Sequence, residues 1–129
     1  MEGIGNLTEP QVDEVAARCV AQAQAMGRLG QYGLVVGNLP RLLHQHGLGQ
    51  TLAYLQARGG GRSDSPYQLL CDHLSAWLAQ AIGLPDRDAL LGLTRSDSQV
   101  YRQAAEAARQ LGLALRRAID RATPARGGA

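Results

Sequence analysis

The sequence predicts an all-α protein, folded as a single compact domain of about five to seven helices. Leucine and alanine far outnumber valine and isoleucine, and phenylalanine is absent, so the apolar residues are helix formers rather than strand formers. They recur at the three- and four-residue spacing of a helix face, and no valine- or isoleucine-rich strand pattern interrupts them. At 129 residues the chain suits one domain with one core.

The first helix is expected from about Glu9 to Gly27, after a flexible N-terminus of residues 1–8. Thr8 followed by Gln11 is a capping-box pattern. The apolar residues that then share one helical face are Val12, Val15, Ala16, Cys19, Val20, Ala23 and Met26. The chain starts without the basic residues and apolar core of a signal peptide, and no apolar run approaches the roughly 20 residues of a membrane span. We therefore expect a cytoplasmic protein with no membrane partner.

The densest pattern, residues 32–55, predicts two helices joined at a glycine hinge. Asn38 is expected to cap the first of them, with Pro40 in its first turn, and Gly47 or Gly49 to end it. The leucines that share a face on either side of the hinge are Leu39, Leu42 and Leu43, then Leu48, Leu52 and Leu55. The hinge must bend tightly if both rows are to share one core.

A glycine-rich segment follows at residues 59–64 and predicts a mobile loop, because ordering a glycine triplet loses much chain entropy. It is either a plain connector or a loop that orders when a partner or ligand arrives, since Arg58 and Arg62 flank it. Ser65 and Pro66 then open the next helix, which Gly83 ends.

The last third of the chain predicts a short helix and a long one. Asp86 is expected to cap the short helix, which ends at Leu91 or Leu93. Ser96 with Gln99 is a second capping-box pattern, and it places the final helix at about residues 97–122, inside a single helical domain of residues 9–122. Residues 123–129 are expected to be a flexible tail.

The final helix carries a regular pattern of charge. Arg102, Arg109 and Arg116 recur every seven residues, so at about 100° and 1.5 Å per residue they form a row with steps of about 10 Å. The row points away from the apolar face, which consists of Val100, Ala104, Ala107, Ala108, Leu111, Leu115 and Ala118. It is either a solvated face, partly neutralised by Glu106 and Asp120, or a contact surface to which Leu113 adds one apolar residue.

Composition alone does not decide between these two interpretations. The net charge of +2 is small, but all 13 basic residues are arginine, whose planar guanidinium can bind phosphate through two hydrogen bonds.

The histidines and cysteines do not form a recognisable metal or catalytic site. His44 and His46 are two residues apart, as are Cys71 and His73, and side chains at this spacing diverge on a helix, so neither pair converges as metal ligands or as a catalytic pair. We expect no metal, no cofactor and no catalytic residue, with both cysteines as buried thiols.

Several segments, in order, resemble the small subunit of the type III-B CRISPR effector, the Cmr complex. They are Leu39-Pro40, Gly47 to Leu55 (GLGQTLAYL), Tyr67 to Leu70 with Trp77-Leu78, and, in the closing helix, Asp97-Ser98, Tyr101-Arg102, Glu106-Ala107 and Leu115 to Ala118. The resemblance covers residues 32–122. It departs at Leu111 to Leu113, where the family often has aromatic residues, and in the use of arginine where the family often has lysine.

The resemblance implies a non-catalytic, all-helical protein whose copies stack along the backbone subunits of an RNA-guided ribonuclease. The partners it implies are guide RNA, target RNA, the other Cmr subunits and further copies of the chain. Contacts between its arginine side chains and RNA would be made to the phosphates and would not depend on the RNA sequence. The RNA-binding residues expected on this basis are Arg102, Arg109 and Arg116, joined by Arg117, Arg41, Arg18 and Arg28.

Two other readings remain open from the residues themselves. The chain could be a stand-alone helical protein-interaction module with no RNA binding, which docks a partner through Leu113 and the glycine-rich loop. It could also be a small ribonuclease that uses His44 or His46 as acid and base, since such sites leave no spacing signature.

Overall fold

In the computed structural model, residues 9–84 and 89–123 are described, and they form five helices with no strand among them. The helices are α1 (Glu9–Ala25), α2 (Leu29–Gly59), α3 (Pro66–Ile82), α4 (Ala89–Thr94) and α5 (Ser98–Ala122). The all-α prediction in a single domain is confirmed, and five helices is the low end of the predicted number. Within the described ranges, no helix is long and apolar enough to cross a bilayer.

Helix α5 lies at the centre of the packing and contacts α1, α2 and α3, while α2 and α3 pack on each other. The largest fully buried side chains are Trp77 and Tyr32, which are joined by leucines from α2, α3 and α5. The Trp77 indole N–H donates to the Ala107 carbonyl at 2.9 Å. Trp77 therefore belongs to the core, and its hydrogen bond fixes α3 against α5.

The start of α2 was wrongly predicted, because the helix begins at Leu29 rather than near Asn38. Pro40 therefore lies inside the helix, although proline removes one helical hydrogen bond. This first part of α2 contributes three buried side chains to the core, those of Tyr32, Val35 and Val36. Their packing in the core offsets the low helix propensity of a glycine- and proline-containing segment.

The predicted hinge is confirmed at Gly47, the one residue of α2 with non-helical dihedral angles (φ 79°, ψ 169°). Only glycine adopts this conformation readily. Just past the break, the Gly49 N–H donates to the Tyr101 hydroxyl of α5 at 2.8 Å. A side chain from another helix thus caps the second half of α2, and Leu39 and Leu48 share one core across the hinge.

Both ends of α3 and the start of α5 follow local sequence signals, with one correction. The Ser65 hydroxyl accepts from the backbone N–H groups of the first turn of α3, and Gly83 ends that helix in the left-handed conformation, both as predicted. Helix α5 is capped by Asp97, whose side chain accepts from the Val100 N–H at 2.9 Å. The capping role predicted for Ser96 is wrong, because its hydroxyl donates backwards to the Leu93 carbonyl. The caps predicted at Thr8 and Asp86 lie outside the described residues.

Candidate nucleic-acid interface

Arg102, Arg109 and Arg116, hereafter the arginine stripe, lie on the outer face of α5 and are all exposed. Opposite them, the predicted apolar face is buried from Ala104 to Ala118, with Val100 half-buried at its start. This separation follows directly from the periodicity of an amphipathic helix. Leu113 lies on the same outer face with 46 % of its surface exposed, so this face also carries one exposed apolar side chain.

The three guanidinium groups of the stripe differ in their partners. Arg109 donates to both carboxylate oxygens of Glu106, at 2.7 and 3.1 Å, and this hydrogen-bonded pairing raises the pKa of Arg109. Within the described part of the chain, Arg102 and Arg116 form no ion pair. The neutralisation anticipated from Glu106 and Asp120 is thus limited to one of the three cations, and two remain available to an anion.

The structure places the other predicted arginines away from the stripe. Arg117, next to Arg116 on α5, forms an ion pair of 2.8 Å with Asp13 and so ties α5 to α1. Arg18 is exposed on α1 beside a small pocket between α1 and α3. Arg41 is exposed on α2, where it donates to the Asn38 side chain at 3.3 Å. The predicted RNA-binding set is therefore divided over several surfaces.

Arg28 belongs to a different feature, a cavity of about 840 Å³ between the two ends of α2 and the start of α3, hereafter the groove. Arg58 and Arg62 line it as well, and neither was included in the predicted RNA-binding set. The one signal in the sequence was that they flank the glycine-rich segment. The complete lining is Arg28, Gln31, Leu34, Val35, Asn38, Ala57, Arg58, Arg62, Asp64, Ser65, Pro66 and Tyr67.

Arg58 is held in place by two aromatic rings. Its guanidinium carbon lies 4.9 Å from the ring centre of Tyr67 and 5.7 Å from that of Tyr54, which are cation–π distances. The guanidinium also donates to the Tyr67 hydroxyl at 3.2 Å, and that hydrogen bond raises the pKa of Arg58. The two rings meet edge to face, so α2 and α3 together orient this cation.

The turn between α2 and α3 closes the groove. Gly59, the last residue of α2, is buried, and two hydrogen-bonded turns follow, from the Arg62 N–H to the Gly59 carbonyl and from the Ser65 N–H to the Arg62 carbonyl. The Arg28 guanidinium lies 3.4 Å from the Asp64 carboxylate across the groove. The turns define the path of the segment, and its predicted mobility stays a prediction.

The histidines and cysteines fall into two environments. His44 and His46 are exposed, whereas Cys19, Cys71 and His73 are buried, which confirms that the cysteines are buried thiols. Burial raises the pKa of Cys19 to about 11, opposed by nearby Arg18. Among the residues that the structure describes, no three potential metal-binding side chains come together.

His73 is the centre of a buried hydrogen-bond chain. Its Nδ1 lies 2.7 Å from the Tyr32 hydroxyl and its Nε2 lies 2.8 Å from the side-chain oxygen of Gln22. Because that oxygen can only accept, Nε2 carries the proton and Tyr32 donates to Nδ1. Burial lowers the pKa of His73 to about 4, so the ring is neutral and joins α1, α2 and α3.

Comparison with known protein families gives a match. The sequence model of a CRISPR-associated protein family, Cas_Cmr5, matches residues 8–120, which is nearly the whole chain. No curated protein and no solved structure is similar enough to match.

Proposed function

The chain belongs to the Cas_Cmr5 family of CRISPR-associated proteins, and on that premise we propose that it acts without catalysis as an RNA-contacting small subunit of a type III-B effector. In this role it stacks with further copies along the backbone subunits of the Cmr complex. The family match over residues 8–120 carries this proposal, and nuclease activity is assigned to other subunits.

We assign the RNA contact to the arginine stripe. Its three exposed cations recur along one helix at steps of about 10 Å. This arrangement suits a partner whose negative charges also recur along a line. Arg102 and Arg116 form no ion pair in the described residues, so they can bind phosphate without first losing a carboxylate. Contacts of this kind position the RNA and read no sequence.

The remaining predicted residues are given a smaller part in this proposal. Arg117 is already paired with Asp13 and Arg28 with Asp64, so binding phosphate would require these ion pairs to open. Arg18 and Arg41 lie on other helices. We therefore expect substitutions at these four positions to weaken RNA binding less than substitutions in the stripe.

Incorporation is tested by expressing the chain with the other Cmr subunits and guide RNA and purifying the particle. The expected result is stoichiometric incorporation, with target-RNA binding reduced and cleavage chemistry intact when the chain is omitted. Failure to enter the particle, or RNA cleavage by the isolated chain, would overturn the proposal.

The stripe is tested in the same particle with the triple variant Arg102→Gln, Arg109→Gln and Arg116→Gln. Each phosphate contact contributes about 0.7 to the slope of log K against log salt concentration on single strands. Loss of the two contacts from Arg102 and Arg116 should therefore make the slope shallower by about 1.4 for each copy of the chain, and Arg109 should add to this only as far as its ion pair with Glu106 opens. The matched control carries Arg95→Gln and Arg121→Gln, two exposed arginines outside the stripe, and should keep the parent slope. Target binding with little salt dependence, or equal slopes in all three proteins, would instead favour a protein-interaction module.

A further inference from the structure

Exposed apolar surface lies in the groove, on the side of α2 that faces away from α5. Gly33 of α2 approaches Ile119 of α5, whereas the next residue, Leu34, lines the groove and keeps 74 % of its surface exposed. Ala57 and Pro66 add further aliphatic surface to the same cavity. An exposed leucine is unremarkable by itself, but one in a concave site with other apolar groups offers a place for an aliphatic side chain.

The charge around this apolar surface is strongly one-sided. Arg28, Arg58 and Arg62 line the groove, and Asp64 is its single carboxylate. Asp64 lies at 3.4 Å from Arg28, while Arg58 is oriented by tyrosine rings rather than by an acid. The groove therefore presents more guanidinium groups than its own carboxylate can neutralise, and an acidic partner would complement it.

The form of the groove favours a peptide over an RNA strand. Its three arginines come from different parts of the chain and converge on one cavity of about 840 Å³, whereas an RNA backbone presents phosphates in a line. Aliphatic surface at Leu34 gives a phosphate nothing to bind. It does suit a side chain such as leucine or valine that follows a carboxylate in a protein segment.

We propose that the groove docks an acidic protein segment of a neighbouring subunit in the effector complex, with carboxylates on Arg58 and Arg62 and an adjoining aliphatic side chain against Leu34. The inference rests on the incorporation part of the proposed function and is independent of the RNA contact. It gives the molecule two basic surfaces with different partners, the arginine stripe for phosphates and the groove for carboxylates.

Photocrosslinking in the assembled complex tests the occupant directly. The variant Leu34→p-benzoylphenylalanine places the probe in the groove, and Gln50→p-benzoylphenylalanine places it at an exposed α2 position that does not line it. After irradiation, mass spectrometry should identify a peptide with carboxylates beside an aliphatic residue at position 34 and not at position 50. A crosslink to RNA, a crosslink to a peptide without acidic residues, or no crosslink in an incorporated chain would each overturn the inference.

Charge reversal supplies the second test. Arg58→Glu with Arg62→Glu should lower incorporation about tenfold in competition with the parent chain and abolish the crosslink at position 34. Arg95→Glu with Arg121→Glu makes the same change of charge outside the groove and should incorporate normally. Thermal unfolding of both isolated variants identifies any loss of stability, and normal incorporation by a folded Arg58→Glu, Arg62→Glu variant overturns the inference. If the parent chain does not enter the complex, the proposed function fails and this inference with it, whereas incorporation without the crosslink removes this inference alone.

Discussion

The arginine stripe and the groove use the same side chain in opposite ways. The positions of the stripe arginines follow from a seven-residue spacing on one helix, and their outward direction needs only that α5 folds and buries its apolar face. The groove arginines lie before α2, in its last turn and in the following turn, so they come together only when both ends of α2 are fixed against α3. The stripe is therefore a local feature, and the groove is a product of tertiary packing.

The contrast extends to how firmly each cation is held. In the stripe, the one ion pair joins residues three apart on an exposed helix face, a kind of contact that contributes little to stability. In the groove, Arg58 contacts rings from two helices and Arg28 pairs with the turn between them. Perturbing the packing should thus affect the groove before the stripe, and the four changes below test this in order of decreasing effect.

The largest effect on stability is expected at acidic pH, where protonation of His73 opposes the hydrogen bonds that join α1, α2 and α3. The pKa of His73 is about 4 in the folded chain and about 6.5 when unfolded, so between these values the unfolded chain binds more protons. The contribution of neutral His73 to the free energy of unfolding is complete above pH 6.5. It is lost as the pH falls towards 4, which lowers the free energy of unfolding by about 3 kcal/mol in total. Urea unfolding between pH 7.5 and 4 measures it.

The controls for the acid effect are histidine substitutions. His73→Gln should remove this part of the pH dependence, and His44→Gln with His46→Gln should retain it because both rings are exposed. Hydrogen exchange at mildly acidic pH should show opening at the α2–α3 junction before opening in α5. Simultaneous opening of both regions would remove the proposed difference between groove and stripe.

Gly59→Ala should destabilise the junction by about 2 kcal/mol and deform the groove while leaving the stripe helical. A Cβ atom at Gly59 would lie 2.9 Å from both the backbone nitrogen and the Cβ of Gln68, so α2 and α3 would have to separate. Gly37→Ala is the matched control, because this exposed helical position has open space around it, and it should raise stability by about 0.5–1 kcal/mol. Equal unfolding midpoints for the two variants would contradict the close approach of the helices.

Tyr101→Phe should lower the free energy of unfolding by about 1 kcal/mol. The hydroxyl caps the Gly49 N–H at the hinge, and its loss leaves that donor unpaired where α5 supports the half of α2 that carries Arg58. Tyr54→Phe is the comparison, since the Tyr54 hydroxyl makes no hydrogen bond within the described residues, and it should have no measurable effect. A loss of similar size in both variants would argue against the capping role of Tyr101.

Glu106→Gln should change stability by less than about 0.5 kcal/mol, because it breaks only an exposed ion pair. It releases Arg109 and should strengthen target-RNA binding in the assembled complex modestly at low salt. Asp64→Asn releases Arg28 in the groove in the same way and should strengthen RNA binding less than Glu106→Gln does. An equal or larger gain in RNA binding by Asp64→Asn would show that the two basic surfaces share one partner.

The sequence predicted those parts of the structure that depend on neighbours in the chain. The start of α3 at Ser65-Pro66, its end at Gly83, the apolar and basic faces of α5 and the hinge at Gly47 were all predicted, because caps, periodicity and positive φ angles depend on a few adjacent residues. The local signals failed at Asn38 and Pro40, which indicated a helix start in the middle of α2.

Tertiary structure alone decided the rest. Packing of Tyr32 and Val36 extends α2 back to Leu29, where propensity opposes a helix. Pairing between α1 and α5 assigns Arg117 to Asp13 rather than to the stripe. Arg28 and Arg62 line the same groove although the whole of α2 separates them in the sequence. Residues so far apart in the chain produce no periodic pattern from which their proximity could be predicted. Local rules therefore determined which residues each helix exposes, and the packing of the helices determined which exposed residues meet.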